Sequence, residues 1–393
     1  MKRLILITGL VLLFAAEILR VYFIMPFPGS QTSETIGFAY WLGRNITWIR
    51  MLLLAAIAWP LMQTFRRDTL WKRVLLAVVL TVYAVIAYFV NFRFEADKMF
   101  YQPKHKNFAA GNQAGADTIL VIGVAINGEA KAFPIQIIGY HHQVRDTIGN
   151  TPAIITYCTV CRTGRVFSPE VNGKPETFRL VGMDHFNAMF EDATTKSWWQ
   201  QATGIAVAGP LKGHILTEIA SQQMSLAAWL RLYPNATVLE ADSSYKKRYE
   251  NLAGYNKGTI DGSLEKRDSA SWQFKSWVVG IVHKDASRAY DWNELVKKEL
   301  VEDSLPGLPL VIALENDTAS FHVWNRAISG YSLRFKKNKF NNTLTDTNTG
   351  SVWNMNGSCT DGPLKGSQLQ AIQSYQEFWH SWKNFHPATS RYK

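Results

Sequence analysis

The sequence predicts three membrane-spanning helices followed by a duplicated α+β domain in which strands predominate. Three observations lead to this fold class. Apolar segments of membrane-spanning length precede residue 98, short motifs after residue 105 occur twice, and runs of β-branched and aromatic residues are bounded by Gly, Pro and Asn.

Residues 1–98 are expected to anchor the chain in a lipid bilayer, with spans at about 4–25, 46–63 and 74–94. Each is near the ~20 residues that cross a bilayer as a helix. The first span has no small-x-small cleavage site after it and contains Glu17 and Arg20, which argues against a cleaved signal peptide. We expect Glu17 to pair with Arg20, one turn away.

Basic residues in the short loops predict the orientation of these spans. They crowd the N-terminus and the loop between the second and third spans, at Lys2, Arg3, Arg66, Arg67, Lys72 and Arg73, whereas the other loop carries mainly Arg44. The pattern predicts an integral protein of a bacterial inner membrane. Its N-terminus would be cytoplasmic and its large domain extracytoplasmic, that is, periplasmic.

The net charge of +11 does not indicate a nucleic-acid-binding protein. Residues 1–100 hold eleven Lys or Arg against five Asp or Glu, so more than half of the excess lies where membrane topology accounts for it. No basic-aromatic RNA motif and no zinc-finger spacing is present. Nucleic acid is therefore excluded as a partner, and the sequence identifies no small-molecule or protein partner.

Motifs that recur at a nearly constant spacing indicate a tandem duplication. Val-Ile-Gly-Val at 121–124 recurs as Val-Val-Gly-Ile at 278–281, and Gly-Pro-Leu-Lys-Gly at 209–213 recurs unchanged at 362–366. We assign a first copy to 105–242, a linker to 243–267 and a second copy to 268–393. The copies are expected to pack about a pseudo-twofold axis.

Within the copies, strands are predicted at 118–125, 152–157, 164–167 and 177–181. Helices are predicted at 225–232, 291–301 and 376–384 from apolar residues near helical spacing. Alignment of the copies places a further helix at 134–144, which puts His141 and His142 near its end.

The segment whose side chains offer the most chemistry is Cys158-Thr-Val-Cys161, sixteen residues after the His141-His142 pair. Only three cysteines occur in the chain, so a Cys-x-x-Cys motif is unlikely to arise by accident. A c-type haem would need His directly after the second cysteine, and Arg162 stands there, which excludes it. No nucleotide-binding fingerprint is visible.

The leading interpretation is a transition-metal site, with copper expected first and zinc or iron after it. Its ligands would be Cys158, Cys161, His141 and His142, completed by Met183 or His185 from Gly-Met-Asp-His-Phe. The role would be metal handling or electron transfer. No catalytic residue is assigned, and whether the chain is an enzyme is left open.

Two alternatives remain open. In the first, the cysteines are a thiol–disulfide oxidoreductase couple whose thiol pKa is lowered by the adjacent Arg162. In the second, the domain is an interaction module and the cysteines form a structural disulfide. The second copy has Glu315 and Thr318 at the aligned positions, so the site is expected in the first copy alone. His380 is interpreted as a packing or surface histidine.

These segments resemble the family catalogued as domain of unknown function 3179. The similar segments are Lys-Ala-Phe-Pro at 131–134, Tyr-His at 140–141, Thr-Tyr-Cys-Thr-Val-Cys-Arg-Thr at 156–163, the Asp, Thr, Ser, Trp and Gln of 192–201, and Gly-Pro-Leu-Lys-Gly at 209–213. The resemblance extends over 105–393 and favours His141 over His142 as a ligand. Arg162, Thr159 and His142 replace the family's usual Gly, Pro and Glu. The resemblance implies a location for the site and no activity.

Overall fold

A computed structural model describes residues 1–111, 118–328 and 330–393. The chain divides into two compact units. The first comprises 1–101, 174–200 and 204–215, and the second comprises 102–173, 201–203 and 216–393.

Long helices occur only at the start of the described chain, and the later ones are short. The α-helices are α1 (Lys2–Tyr22), α2 (Ile36–Arg67), α3 (Leu70–Tyr88), α4 (Ala96–Met99), α5 (Ile135–His141), α6 (Leu226–Leu232), α7 (Lys246–Glu250), α8 (Trp292–Lys298) and α9 (Trp379–Phe385).

Short strands make up most of the remaining regular structure. Up to residue 239 they are β1 (Phe108–Ala110), β2 (Leu120–Ile126), β3 (Glu129–Pro134), β4 (Gln143–Ile148), β5 (Thr151–Cys158), β6 (Thr163–Phe167), β7 (Glu170–Val171), β8 (Lys174–Pro175), β9 (Phe178–Asp184), β10 (Asn187–Asp192), β11 (Trp198–Gln200), β12 (Ala206–Ala208), β13 (Gln222–Ser225) and β14 (Thr237–Leu239).

After residue 276 they are β15 (Trp277–His283), β16 (Ala286–Asp291), β17 (Leu300–Leu305), β18 (Leu308–Leu314), β19 (Phe321–Asn325), β20 (Ala327–Ile328), β21 (Tyr331–Ser332), β22 (Phe335–Asn338), β23 (Thr343–Asp346), β24 (Val352–Trp353), β25 (Cys359–Asp361), β26 (Gln370–Ala371), β27 (Ser374–Phe378) and β28 (Ser390–Arg391). The predicted mixture of helices and predominant strands is confirmed.

The first unit contains three helices that are long and apolar enough to cross a membrane, as predicted. The second begins at Ile36, ten residues before the predicted span, and the third continues through a π-helical turn to Arg93. The same unit holds the sheet β12-β11-β10-β9. Its apolar face packs on the start of α2, where Ile36 and Ala39 share a core with Trp198.

The expected pairing of Glu17 with Arg20 is wrong. The Glu17 carboxylate instead accepts two hydrogen bonds from Arg50 of α2, at 2.5 and 2.7 Å, and others from Tyr83 and Asn91 of the third span. Arg20 donates to Asn91 and forms an ion pair with Glu95. A charge inside an apolar helix needs a partner, and neighbouring helices supply it here.

The second unit contains the sheets β1-β14-β3-β2-β13, β4-β5-β6, β27-β15-β16-β28, β17-β18-β19-β26 and β22-β23-β24-β25. Strand β2 is buried over its first five residues, which explains its nearly continuous apolar sequence. Helix α6 covers it through Trp229, and a Cβ atom at Gly123 would lie 2.3 Å from that indole. The close approach requires glycine at this position.

The predicted strands and helices are present, with three boundary corrections. Helix α5 ends at His141 rather than 144, because His142 is left-handed (φ 58°) and Gln143 begins β4. Helix α8 ends at Lys298 rather than 301, because Glu299 is left-handed (φ 61°) and Leu300 begins β17. Helix α9 starts at Trp379 rather than 376, because the three preceding residues pair with β15 as part of β27. At the end of α8 and at the start of α9, strand pairing overrides an apolar spacing that also fits a helix.

Candidate functional site

The Cys-x-x-Cys motif forms the turn of a β-hairpin in the second unit. Strand β5 ends at Cys158, β6 begins at Thr163, and the two residues are paired in register. Within the turn the Arg162 amide donates to the Thr159 carbonyl at 3.4 Å, and Arg162 is left-handed (φ 55°). The strands predicted at 152–157 and 164–167 are therefore confirmed on either side of the motif, which differs from a Cys-x-x-Cys that opens a helix.

Cys158 and Cys161 are not joined by a disulfide, and both side chains are fully buried, with exposed fractions of 0%. The two side chains lie close enough for a hydrogen bond with Cys158 to contribute to the pKa of Cys161. Burial raises the pKa of the Cys161 thiol well above its usual value, and the neighbouring Cys158 raises it further. Arg162 therefore does not produce the lowered thiol pKa that the sequence suggested.

The cation that faces the thiols is Lys275. It lies two residues before the start of β15, and its side chain is only 7% exposed. Its Nζ atom donates to the Val160 carbonyl, inside the Cys-x-x-Cys turn, at 2.5 Å. Burial lowers the pKa of this ammonium group, whereas negative charge on Cys161 or Cys158 raises it. Charge on the thiols and charge on Lys275 therefore stabilise each other.

Helix α9 supplies two more neighbours in its first turn. The His380 Nε2 atom lies 3.1 Å from Lys275 Nζ, and its ring stacks on Phe274 with centroids 4.2 Å apart. Burial, followed by the charge of Lys275, lowers the pKa of His380 to about 3. Ser381 contacts the Thr163 hydroxyl at 3.2 Å and lowers the pKa of Cys161 through a hydrogen bond. His380 is thus a buried neighbour of the site.

Strand β27, which directly precedes α9, also contacts the hairpin formed by β5 and β6. The Phe378 amide donates to the Cys161 carbonyl at 3.0 Å. Arg165 of β6 forms a buried ion pair with Glu377 at 2.5 Å, and Glu377 also accepts from Ser381 at 3.0 Å. The surroundings of the two thiols therefore come largely from residues 275–381, distant in sequence.

His141 and His142 lie at the end of α5, immediately before β4, which pairs with β5. Both are buried. His141 Nε2 lies 2.7 Å from the Tyr249 hydroxyl, and His142 Nδ1 lies 3.0 Å from the Tyr157 carbonyl. Burial lowers the pKa of His142 to about 4, so its imidazole is neutral at pH 7.

Met183 and His185 belong to the first unit, at the turn from β9 to β10. The His185 Nδ1 atom lies 2.7 Å from an Asp184 carboxylate oxygen, and this bond raises the pKa of His185. Glu34 is a second acidic neighbour, 3.7 Å from Nε2. The local partners of His185 are therefore carboxylates.

No group of three or more His, Cys, Asp and Glu side chains is arranged to hold a metal ion within 1–111, 118–328 and 330–393. The sulfur atoms of Cys158 and Cys161 remain together as a two-donor set. Soft thiolates select copper(I), whereas zinc usually takes four ligands. The residues present fit a two-coordinate soft ion better than a structural zinc.

Sequence reasoning missed Lys275, His380 and Ser381. For Lys275 the sequence offers one signal. The residue lies two positions before the apolar strand β15, and a charged side chain next to a buried strand is costly to bury unless it has a partner. No comparable signal distinguishes His380 or Ser381, because their position near the thiols depends on long-range packing.

No curated protein and no solved structure matches the chain. A family model matches residues 101–389, which is well over half of the sequence and includes the hairpin, Lys275 and α9. The chain therefore belongs to the family described as Protein of unknown function (DUF3179).

Proposed function

We propose that this membrane-anchored protein binds one soft metal ion, with copper(I) first, through the thiolates of Cys158 and Cys161. The observation that carries the proposal is the contact between two fully buried thiols beside the buried ammonium group of Lys275. The biological role would be metal handling or electron transfer outside the cytoplasm.

Charge balance supports this assignment. Two thiolates and one monovalent cation carry a net charge of −1, and burying that charge requires a compensating positive group. Lys275, held by the Val160 carbonyl, supplies it. Without a metal, burial keeps the Cys161 thiol protonated, because its pKa is raised. Coordination would release the thiol protons and supply a redox-capable centre.

His141 and His142 are retained as further candidate ligands, and Met183 and His185 as more remote ones. In this proposal the histidines first support the hairpin, through the Tyr249 hydroxyl and the Tyr157 carbonyl. Single His141→Gln and His142→Asn variants separate the two roles. A ligand role predicts loss of metal from the folded variant, and a supporting role predicts lower thermal stability with metal retained.

A thiol–disulfide couple is the second candidate, favoured by the same contact between the two thiols. Oxidation would form one Cys158–Cys161 bond and release two protons and two electrons, which would reduce an external disulfide to two thiols. Burial and the raised pKa of Cys161 make it a poor nucleophile, which places this candidate second.

We also propose the cytoplasmic N-terminus and extracytoplasmic domain, on the basis of the basic loops described above.

Paired contacts support the proposed duplication. Trp199 donates to Asp192 at 3.0 Å, and Trp353 donates to Asp346 at 2.9 Å. Likewise, α6 covers a strand glycine with Trp229, and α9 covers Gly280 with its own tryptophan.

The test is to purify the full chain in detergent without immobilised metal or chelators, and to measure bound metals and free thiols. Near-stoichiometric copper that is lost in Cys158→Ser and retained in Cys359→Ser supports the proposal. Cys359 is the matched control, because it is also buried but its thiol contacts the Asp361 carbonyl instead of a second cysteine. Full copper occupancy in the double Cys158→Ser, Cys161→Ser variant would rule the site out. A metal-free protein two protons lighter than its reduced form would favour the disulfide couple.

A further inference from the structure

The second unit contains a cavity of about 890 Å³ that is lined by Arg162, the residue that follows Cys161. Its wall combines basic, polar and apolar side chains, including Arg162, Arg267, Trp277, Trp292 and Val296. Lys257, which is exposed, also belongs to this wall. The volume lies within the usual range of small-molecule sites.

Several buried donors on this wall have no hydrogen-bond partner among the described residues. They are the Nη1 and Nη2 atoms of Arg162, the Nε atom of Arg267 and the indole Nε1 atom of Trp277. Arg162 is only 1% exposed, and among the described residues its side chain makes a single hydrogen bond, donated from Nε to the Gln376 amide oxygen at 2.9 Å. Buried donors are normally satisfied, so several unsatisfied ones on one cavity wall require an explanation.

The two guanidinium groups share one aromatic contact. Both lie against the Trp277 ring, with distances to its centroid of 3.8 Å for Arg162 and 4.1 Å for Arg267. Stacking on one indole fixes their positions but does not neutralise their charges. Burial lowers the pKa of Arg267 and the charge of Arg162 lowers it further, so the two cations repel each other, and a bound anion that contacts them would offset this repulsion.

No protein carboxylate forms a direct ion pair with either guanidinium group within the described part of the chain, although the charge of Asp291 acts on Arg267 from a greater distance. No ion pair with Asp or Glu involves Arg162 or Arg267 there, and Arg267 bonds instead to the Asn293 amide oxygen at 2.5 Å. The one acidic residue on the cavity wall, Asp317, is bonded to Ser225 at 2.7 Å and to Ser320. Asp291, the acidic residue nearest to Arg267 in its electrostatic effect, accepts from Ser271 and the Glu294 amide through Oδ2 and leaves Oδ1 without a partner among the described residues.

We propose that this cavity binds a small organic anion, whose carboxylate or phosphate group is held by Arg162 and Arg267 and whose apolar part packs on Trp277 and Trp292. Guanidinium groups present paired donors that match both kinds of oxyanion. The Trp277 N–H would complete the donor set. This site goes beyond the metal proposal and does not depend on it.

The experiment uses the full chain in lipid nanodiscs, with protein-free nanodiscs as the blank, and isothermal titration calorimetry. The probes are benzoate and phenyl phosphate, which carry the two candidate oxyanions on one apolar ring, and benzamide, their neutral analogue. We expect saturable binding of at least one anion, at least tenfold tighter than benzamide. The anion that binds more tightly identifies the head group. Absence of saturable binding by both anions would overturn the proposal.

Variants test the residues. Arg162→Gln and Arg267→Gln should each weaken binding at least tenfold, whereas Arg248→Gln, an exposed arginine outside the cavity, should leave it unchanged. Equal affinity in all three folded variants would also refute the site. Arg267→Gln decides the matter if Arg162→Gln does not fold. The Cys158→Ser, Cys161→Ser variant keeps both guanidinium groups and should bind the anion normally, so the two proposals can fail separately.

Discussion

Replacing His380 with glutamine should reduce the loss of stability of the protein in acid. His380 is buried, and its Nε2 atom lies 3.1 Å from the Lys275 ammonium group, so protonation would place two positive charges in contact. Its pKa is accordingly lowered to about 3 from the ordinary value of 6.5. A glutamine amide oxygen can still accept from Lys275 but does not titrate.

The sign and size follow from linkage. A folded-state pKa below the unfolded value means that the unfolded chain binds more protons, so stability is full above about pH 6.5 and falls as the pH drops toward 3. Between pH 7 and pH 4.5 the unfolded histidine gains about 2.5 kcal/mol from protonation and the folded one almost none. The wild type should therefore lose about 2.5 kcal/mol more than His380→Gln over this interval.

The assay is urea unfolding of the full chain in a non-denaturing detergent, followed by tryptophan fluorescence at pH 7 and pH 4.5. His105→Gln is the control, because His105 is exposed and should leave the wild-type pH dependence unchanged. The reasoning fails if wild type and His380→Gln lose the same free energy of unfolding, within about 0.5 kcal/mol, between the two pH values.

Three further substitutions test the packing and the charge balance around the hairpin that carries Cys158 and Cys161. Glu377→Gln should lower the free energy of unfolding by about 3 kcal/mol, the low end for breaking a buried ion pair, because it removes the nearer carboxylate of buried Arg165 and leaves only Glu218, at 3.8 Å. The isosteric amide isolates that effect. Gly280→Ala should lower the melting temperature, since its Cβ would lie 2.2 Å from Trp382, and overpacking typically costs about 1–3 kcal/mol. Lys275→Met should weaken copper(I) binding about 10- to 1000-fold at pH 7 in competition titrations, because a neighbouring cation shifts a thiol pKa by about 1–3 units. Lys275→Arg keeps the charge and should retain most of the affinity, and equal loss in both variants would contradict the electrostatic argument.

The parts of the fold that depend on local pattern were predictable from the sequence. The three apolar spans and the strands at 152–157 and 164–167, on either side of the Cys-x-x-Cys motif, follow from composition and period. The end of α8 was not predicted, because Leu300 continues the apolar spacing of the helix and only its pairing with Ala313 shows that it belongs to a strand.

The site itself was predictable only in its thiols. Lys275 approaches the turn from more than a hundred residues away in sequence, and His380 from more than two hundred. Glu17 shows the same limit on a smaller scale. Its nearest basic neighbour in sequence is Arg20, but its partner is Arg50, 33 residues away on another helix. A charged residue in an apolar segment predicts that a partner exists without predicting which one.

The turn that carries the thiols also connects the two proposed sites. The Val160 carbonyl accepts from Lys275, whereas two residues later Arg162 donates to Gln376 and lines the cavity. A ligand that draws Lys275 toward the thiolates and an anion that draws Arg162 into the cavity would both act on the same hairpin turn. If the anion changes the affinity for copper(I) by some factor, copper(I) must change the affinity for the anion by the same factor, because linkage between binding sites is reciprocal. Equal factors measured in both directions would establish communication across the turn, whereas factors of one would show that Cys161 and Arg162 serve independent sites despite being adjacent.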